Sequence, residues 1–389
     1  MSTYERKTKE DMPVLAICYD FDKTLSPDDM QAQGYIQSVG YNVKDFWEES
    51  NRLAEENDMD SNLAYMYKMM EKARGRLVFT RETLENYGAS VRLFPGVEEW
   101  FERIRKYGEQ RGVLVEHYII SCGLKEMIDG TSVAKQGAFE KIYASSFYYN
   151  QYGEAKWPAQ VVNYTNKTQF LFRISKGVLN ENDPGVNDSF ANEDIRVPFR
   201  NMIYIGDSDT DVPCMKLVNS YGGYSIGVYN AQTNDKVKVY KMMREGRIKY
   251  FMPADYSENS KLDCLVKSII GRTIANEKLE TISIDCKNEC QEADCGNSAA
   301  QHRKVALMIA LENSGSFATT HMLIKELKNI SDWLPDEIET LFTIGVENSQ
   351  VWCILGDKDV KGFYSELLSN VKITSENAVK INEMIKESN

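Results

Sequence analysis

The apolar run Val14-Leu15-Ala16-Ile17-Cys18-Tyr19 stops at Asp20 and Asp22, two carboxylates one residue apart. A short run of this kind is one buried strand, and the Ser26-Pro27-Asp28-Asp29 stretch beyond it reads as a loop or turn. In a parallel α/β sheet, ligands bind beyond the carboxyl ends of the strands, so the acids stand where chemistry is expected. In a fully extended chain Asp20 and Asp22 point the same way. A bend just after Asp20 would instead bring one backbone carbonyl and two carboxylates onto a cation, and few, hard oxygen ligands suit Mg2+. A solvated turn can begin the same way, so the motifs farther along the chain carry the weight.

Three further stretches come in order: Ile119-Ile120-Ser121-Cys122-Gly123, then Asn166-Lys167-Thr168-Gln169, then Ile205-Gly206-Asp207-Ser208-Asp209-Thr210-Asp211. With Asp20-Phe21-Asp22-Lys23-Thr24-Leu25 they resemble the ordered motifs of haloacid dehalogenase-like phosphatases, over residues 14–211. The resemblance implies a doubly wound parallel α/β core with an inserted helical cap, as in the phosphoserine-phosphatase-like branch. It implies a catalytic core over residues 1–26 and 93–275 and a cap over 27–92. Leu63, Met66, Tyr67 and Met70 supply the apolar face of one cap helix. In the core, Val97, Trp100, Phe101 and Ile104 mark a helix, and residues 113–120 a strand ending at Ser121. Residues 139–164, rich in aromatics, read as a strand pair around 150–153. Residues 201–205, 222–229 and 248–255 complete the strands.

The resemblance also implies the roles. Asp20 is the nucleophile, forming an aspartyl-phosphate, and Asp22 protonates the leaving oxygen and then activates water. Mg2+ is held by Asp20, the Asp22 backbone carbonyl and Asp207, and Asp211 orients the metal shell or the lysine. Ser121, Thr24, the backbone N–H groups near Gly123, and a lysine bind the transferring oxygens. The chain has three histidines, none beside the acidic motifs, so proton transfer falls to a carboxylate. Asp22 argues against the dehalogenase and phosphonate-cleaving branches. Two lysines compete for the phosphate. Lys167 opens a helix, where an anion is favoured, and Lys176 lies roughly 13–14 Å farther along it at a 1.5 Å rise. The family's lysine usually opens its helix, which favours Lys167. Asp209 is an extra acid, and Thr210 stands where several relatives carry asparagine. Residues 180–200 lengthen the spacing before the acidic motif and are expected to add something near the site.

The net charge of −12 leaves no electrostatic footprint for nucleic acid or an anionic membrane. Residues 1–12 lack the apolar segment of a secretory signal, and the eight cysteines, several in core segments, read as reduced thiols of a cytoplasmic protein. Residues 276–301 turn polar and read as a linker. Cys286, Cys290 and Cys295, even with His302, lack the paired C-x2-C spacing of a zinc site. Residues 302–389 read as an all-helical domain. Val305, Met308 and Ile309 mark one helix, Leu323, Leu327 and Ile330 another, and Ile338, Leu341, Phe342 and Gly345 a third. Such a bundle packs on the enzyme, recruits a protein partner or mediates self-association. The expected activity is Mg2+-dependent hydrolysis of a small phosphorylated metabolite. The alternatives are phosphoryl transfer to an acceptor other than water, or a regulatory binding protein with a vestigial phosphatase domain.

Overall fold

The computed structural model describes residues 4–191, 194–293, 299–330, 332–369 and 375–387. Seven strands form one sheet: β1 (Val14–Tyr19), β2 (Leu114–Leu124), β3 (Lys141–Tyr149), β4 (Ala155–Gln160), β5 (Met202–Gly206), β6 (Tyr224–Tyr229) and β7 (Tyr250–Pro253). Their order is β4-β3-β2-β1-β5-β6-β7, parallel except for the antiparallel β3–β4 pair. All of β1 is buried. Its side chains alternate: Leu15, Ile17 and Tyr19 enter one apolar cluster, and Val14, Ala16 and Cys18 enter the other. That alternation is the period of two of a strand covered on both faces. Tyr19 pairs with Ile119 on one side and Ile205 on the other, so the end of β1 lies level with the residues just before Ser121 and Gly206. Strand order reverses at β1, which opens a crevice at its carboxyl end.

Between β1 and β2 the chain is helical: α1 (Tyr35–Ser38), α2 (Val43–Glu56), α3 (Ser61–Ala73) and α4 (Arg81–Gly88), then α5 (Val97–Glu109). Asn42, Asp60 and Thr80 cap α2, α3 and α4 through side-chain oxygens that accept backbone N–H groups. α5 buries Val97, Trp100, Phe101 and Ile104, as its spacing predicts. α3 departs from expectation. It buries Ala64, Tyr65, Met66, Met69 and Ala73, and leaves Tyr67 45% exposed. Its inward face is turned about one residue from the predicted one, because Tyr65 reaches down to the end of β2.

After β2 come α6 (Lys125–Asp129), α7 (Ser132–Lys135), α8 (Lys167–Lys176), α9 (Val212–Ser220), α10 (Val237–Arg244) and α11 (Lys261–Ala293). Of the stretch 180–200, residues 180–188 fasten to the far end of α8 rather than to the acidic motifs. The Arg173 guanidinium donates to the carbonyls of Asn180, Glu181 and Asp183, and Lys176 donates to those of Val186 and Asp188. Arg196, fully buried, holds Glu116 through two 2.7 Å bonds and Glu10 through one of 2.6 Å. Of the described cysteines, Cys18 and Cys214 are buried, whereas Cys264, Cys286, Cys290 and Cys353 are exposed, and all are free thiols. Cys295 lies outside the described residues.

The chain divides into two compact units, Met1–Leu279 and Glu280–Asn389. The division falls within α11, and residues 276–293 are helical where composition suggested a linker. The second unit holds α12 (Ala299–Glu312), α13 (Phe317–Leu327), α14 (Pro335–Glu347), α15 (Ser349–Cys353), α16 (Lys358–Ser369) and α17 (Glu376–Glu387) around Leu311, Ile324, Leu327, Leu341 and Phe342. α14 buries its predicted face. α12 does not: Met308 and Leu311 point inward, while Val305 and Ile309 are about half exposed. Lys304 takes an inward position instead, its ammonium 3.0 Å from Glu337 and over the Trp333 ring. No described helix is long and apolar enough to cross a membrane.

Candidate active site

The Asp20 N–H bonds the Ile205 carbonyl at 3.0 Å, and the Asp20 carboxylate accepts the Phe21 N–H at 2.8 Å. The Phe21 carbonyl then accepts the N–H groups of Thr24, Leu25 and Ser26, a tight turn that holds Lys23 at φ +56°. Of the two courses open to the chain after Asp20, extended or bent, it takes the bent one. Asp22 leaves it in a different direction, its Oδ1 accepting the Met30 N–H at 2.8 Å. The Thr24 hydroxyl is buried and has no hydrogen-bond partner.

β2 runs past Ser121 to Leu124 instead of ending there, with its register against β3 slipping between the two. A slip of this kind re-aims the end of a strand. Ser121 Oγ accepts the Gly123 N–H at 3.1 Å, and the serine hydroxyl is near enough to Asp20 to favour its ionised form. A Cβ at Gly123 would lie 2.5 Å from Met30 Cε and 3.1 Å from Asp22 Oδ2, so the end of β2 passes close to the Asp22 carboxylate.

At the end of β5, Asp207 and Asp211 complete the cluster. One oxygen each from Asp20, Asp207 and Asp211 lie within 4.8 Å of one another. Asp211 Oδ1 accepts from Lys167 Nζ at 2.7 Å and from the Tyr204 hydroxyl at 2.8 Å. Its Oδ2 accepts from the Ser208 hydroxyl at 3.2 Å. Lys167, wholly buried, also lies 3.4 Å from Asp20. Lys176 is bound at the opposite end of α8 and does not join the group. Neither does Asp209, which is exposed near Lys241, and the Asp22 carboxylate stands apart from the three acids. The Thr210 hydroxyl bonds Ser208.

Burial, reinforced by Asp211, pushes the Asp20 carboxyl up to about 6, against the pull of Lys167. Burial and the neighbouring acids push Asp207 up to about 8. Asp22 is also driven well up, by burial and then by Asp29 and Asp20. Burial pulls the Lys167 ammonium down, but Asp20 and Asp211 outweigh it and hold it charged. With all three carboxylates ionised against one buried ammonium, two negative charges would go unmatched, and that repulsion is part of what raises Asp20 and Asp207. Lys238, 3.9 Å from Asp207, is mostly in solvent and offsets little. An all-oxygen donor set with an excess of two negative charges fits a hard divalent cation.

A family model described as haloacid dehalogenase-like hydrolase matches residues 17–216, just over half of the chain. The chain belongs to this family. Every member of the cluster, from Asp20 to Asp211, lies inside the matched span. As a haloacid dehalogenase-like hydrolase, the chain is similar to a protein of Borreliella burgdorferi described as uncharacterized, 28% identical over 275 residues, covering 64% of this chain and 94% of that one. Among solved structures it is similar to a HAD family hydrolase from Salmonella enterica serovar Typhi, at 16% identity, TM-score 0.45, and 67% and 73% of the two chains. It is also similar to a probable phosphoserine phosphatase from Vibrio cholerae, at 13% identity, TM-score 0.44, and 69% of each chain.

Four residues of this hydrolase's site carry little or no mark in the sequence. Tyr204 and Ser208 brace Asp211, Met30 braces Asp22, and Tyr65 reaches the carbonyl of Cys122. Ser208 has a signal, since a serine three residues before an acid is the spacing of a capping box. The other three, Met30, Tyr65 and Tyr204, are apolar or aromatic residues whose neighbours give no such spacing.

Proposed function

We propose that this hydrolase is a Mg2+-dependent phosphatase of small phosphate monoesters that works through an aspartyl-phosphate on Asp20. The observation that carries the reading is Asp20 itself: a buried carboxylate at a strand end, 3.4 Å from a buried lysine, among acids suited to a cation. In the first step an Asp20 carboxylate oxygen attacks phosphorus as the bond to the leaving oxygen breaks. Asp22, whose surroundings favour its protonated form, gives that oxygen its proton. Ionised Asp22 then takes a proton from the water that attacks phosphorus, which frees Asp20 and inorganic phosphate. Lys167, the Ser121 hydroxyl and the unpartnered Thr24 hydroxyl hold the transferring oxygens. Mg2+, held by Asp20, Asp207 and the Asp22 carbonyl with Asp211 behind them, would act as a Lewis acid on the phosphoryl group.

Purified protein should release phosphate from an aryl phosphate with Mg2+ and stop in EDTA. Asp20→Asn should fold normally and lose at least about a thousandfold in turnover, because an amide is no nucleophile here. Full activity in EDTA, or near wild-type turnover by Asp20→Asn free of contaminants, would overturn the reading. Product phosphorylated on an added alcohol, without free phosphate, would point to a transferase.

A further inference from the structure

One cap helix meets the core with its N-terminal end. Asp60, the N-cap of α3, accepts the N–H groups of Asn62 and Leu63 through Oδ1, at 2.8 and 3.0 Å. Its Oδ2 accepts from the Asn163 side-chain amide at 2.6 Å. Asn62 donates to the Val162 carbonyl at 2.8 Å. One residue of the next turn, Tyr65, donates its hydroxyl proton to the Cys122 carbonyl at 2.7 Å. Ser145 is the second donor to that carbonyl, at 3.2 Å, and its hydroxyl in turn accepts the Val162 N–H at 3.1 Å.

The two core segments held in this way are the ones that matter. Cys122 lies between Ser121 and Gly123. The Asn163 carbonyl accepts the N–H groups of Asn166 and Lys167, the opening of α8. Three side chains from the start of a single helix therefore fix the end of β2 that carries Ser121 and the opening of α8 that carries Lys167.

We propose that Tyr65 is a positioning residue: its hydroxyl orients the peptide between Ser121 and Gly123 and, with Asp60 and Asn62, couples seating of the cap to assembly of the phosphoryl-binding groups. The inference rests on the phosphatase reading of the site. The Cys122 carbonyl keeps Ser145 when the Tyr65 hydroxyl is removed, so no buried acceptor is orphaned and the fold loses little. What is lost is orientation, and displacement of a donor from the transferring oxygens acts on the rate.

Tyr65→Phe and Asn62→Ala, each in the full chain, test this with an aryl phosphate and Mg2+. The expected result for Tyr65→Phe is about a tenfold fall in kcat with KM within about twofold, and orthovanadate inhibition weakened by the same factor as kcat/KM. Backbone amides in 121–124 and 161–167 should exchange faster with solvent deuterium in both variants than in wild type. Unchanged kcat, a change confined to KM, or unchanged exchange in both segments overturns the proposal. If wild type hydrolyses no phosphate ester, the phosphatase reading falls. Exchange alone then judges the latch: faster exchange in the two segments upholds it and unchanged exchange ends it.

Discussion

Lys167 and Lys176 sit at opposite ends of α8 and have opposite surroundings. Lys167 is wholly buried against two carboxylates, whereas Lys176 ties backbone carbonyls of the following loop. Lys167→Met should lower aryl-phosphate turnover by at least about a hundredfold, and Lys176→Met should act mainly on thermal stability. Paired kinetics and melting curves check both, and the reverse ranking would move the phosphate role to Lys176. His117 makes a second case at this scale. The Trp100 indole N–H donates to the Tyr19 hydroxyl, which donates to His117 Nδ1, and Nε2–H donates to the Phe101 carbonyl. Every partner is satisfied with the imidazole neutral, and burial, then Arg105, lowers its proton affinity to about 3. Between the unfolded value of about 6.5 and that folded value, the unfolded chain binds a proton that the native one refuses. Stability therefore falls as pH falls through this window. Urea unfolding at pH 7 and pH 5 should differ by about 2 kcal/mol from this group, a slope that His117→Gln should flatten.

At the scale of elements, α4 and α6 touch through two glycines. A Cβ on Gly88 would run into the Met127 carbonyl, and one on Gly130 into the Glu85 carbonyl. Backbones that meet this closely leave no side chain free to yield, so the helices themselves must separate. Gly88→Ala should cost about 1–3 kcal/mol, read from denaturant midpoints. Gly271→Ala, in α11 with open space around it, should instead stabilise by about 0.5–1 kcal/mol. Equal effects of the two substitutions would show that the α4–α6 approach is not the constraint.

For the whole molecule, the first unit contains β1 to β7 and every residue of the acidic site. The second has its own core, in which Leu311, Ile324, Leu341 and Phe342 are buried together. A chain ending at Leu279 is expected to fold and to hydrolyse an aryl phosphate within about threefold of the full-length rate, as a unit with its own core allows. Its association state on size exclusion is the property expected to change, if the C-terminal helices bind a partner or a second copy. An insoluble or inactive product would assign those helices to the catalytic fold.

Features that are local or periodic in origin are legible in the sequence alone. A run as short and apolar as Val14–Tyr19 fits a strand covered on both faces, and the acids at its end mark the site. The ordered Asp20, Ser121, Lys167 and Asp207 stretches lie on separate segments, yet the register of β1 against β2 and β5 carries three of them to one crevice. Its place at the helix opening favours Lys167 over Lys176, and the packed chain stands it beside Asp20 while the far end of α8 holds Lys176 away. Packing also turned α3 so that Tyr67 faces water and Tyr65 faces Cys122, and α12 so that Lys304 displaced Val305 and Ile309. Helical spacing identifies a stripe of apolar residues to within about one position. Which edge of that stripe is buried depends on partners distant in the chain, and a tyrosine hydroxyl or lysine ammonium that finds a buried acceptor can outweigh one more methyl group.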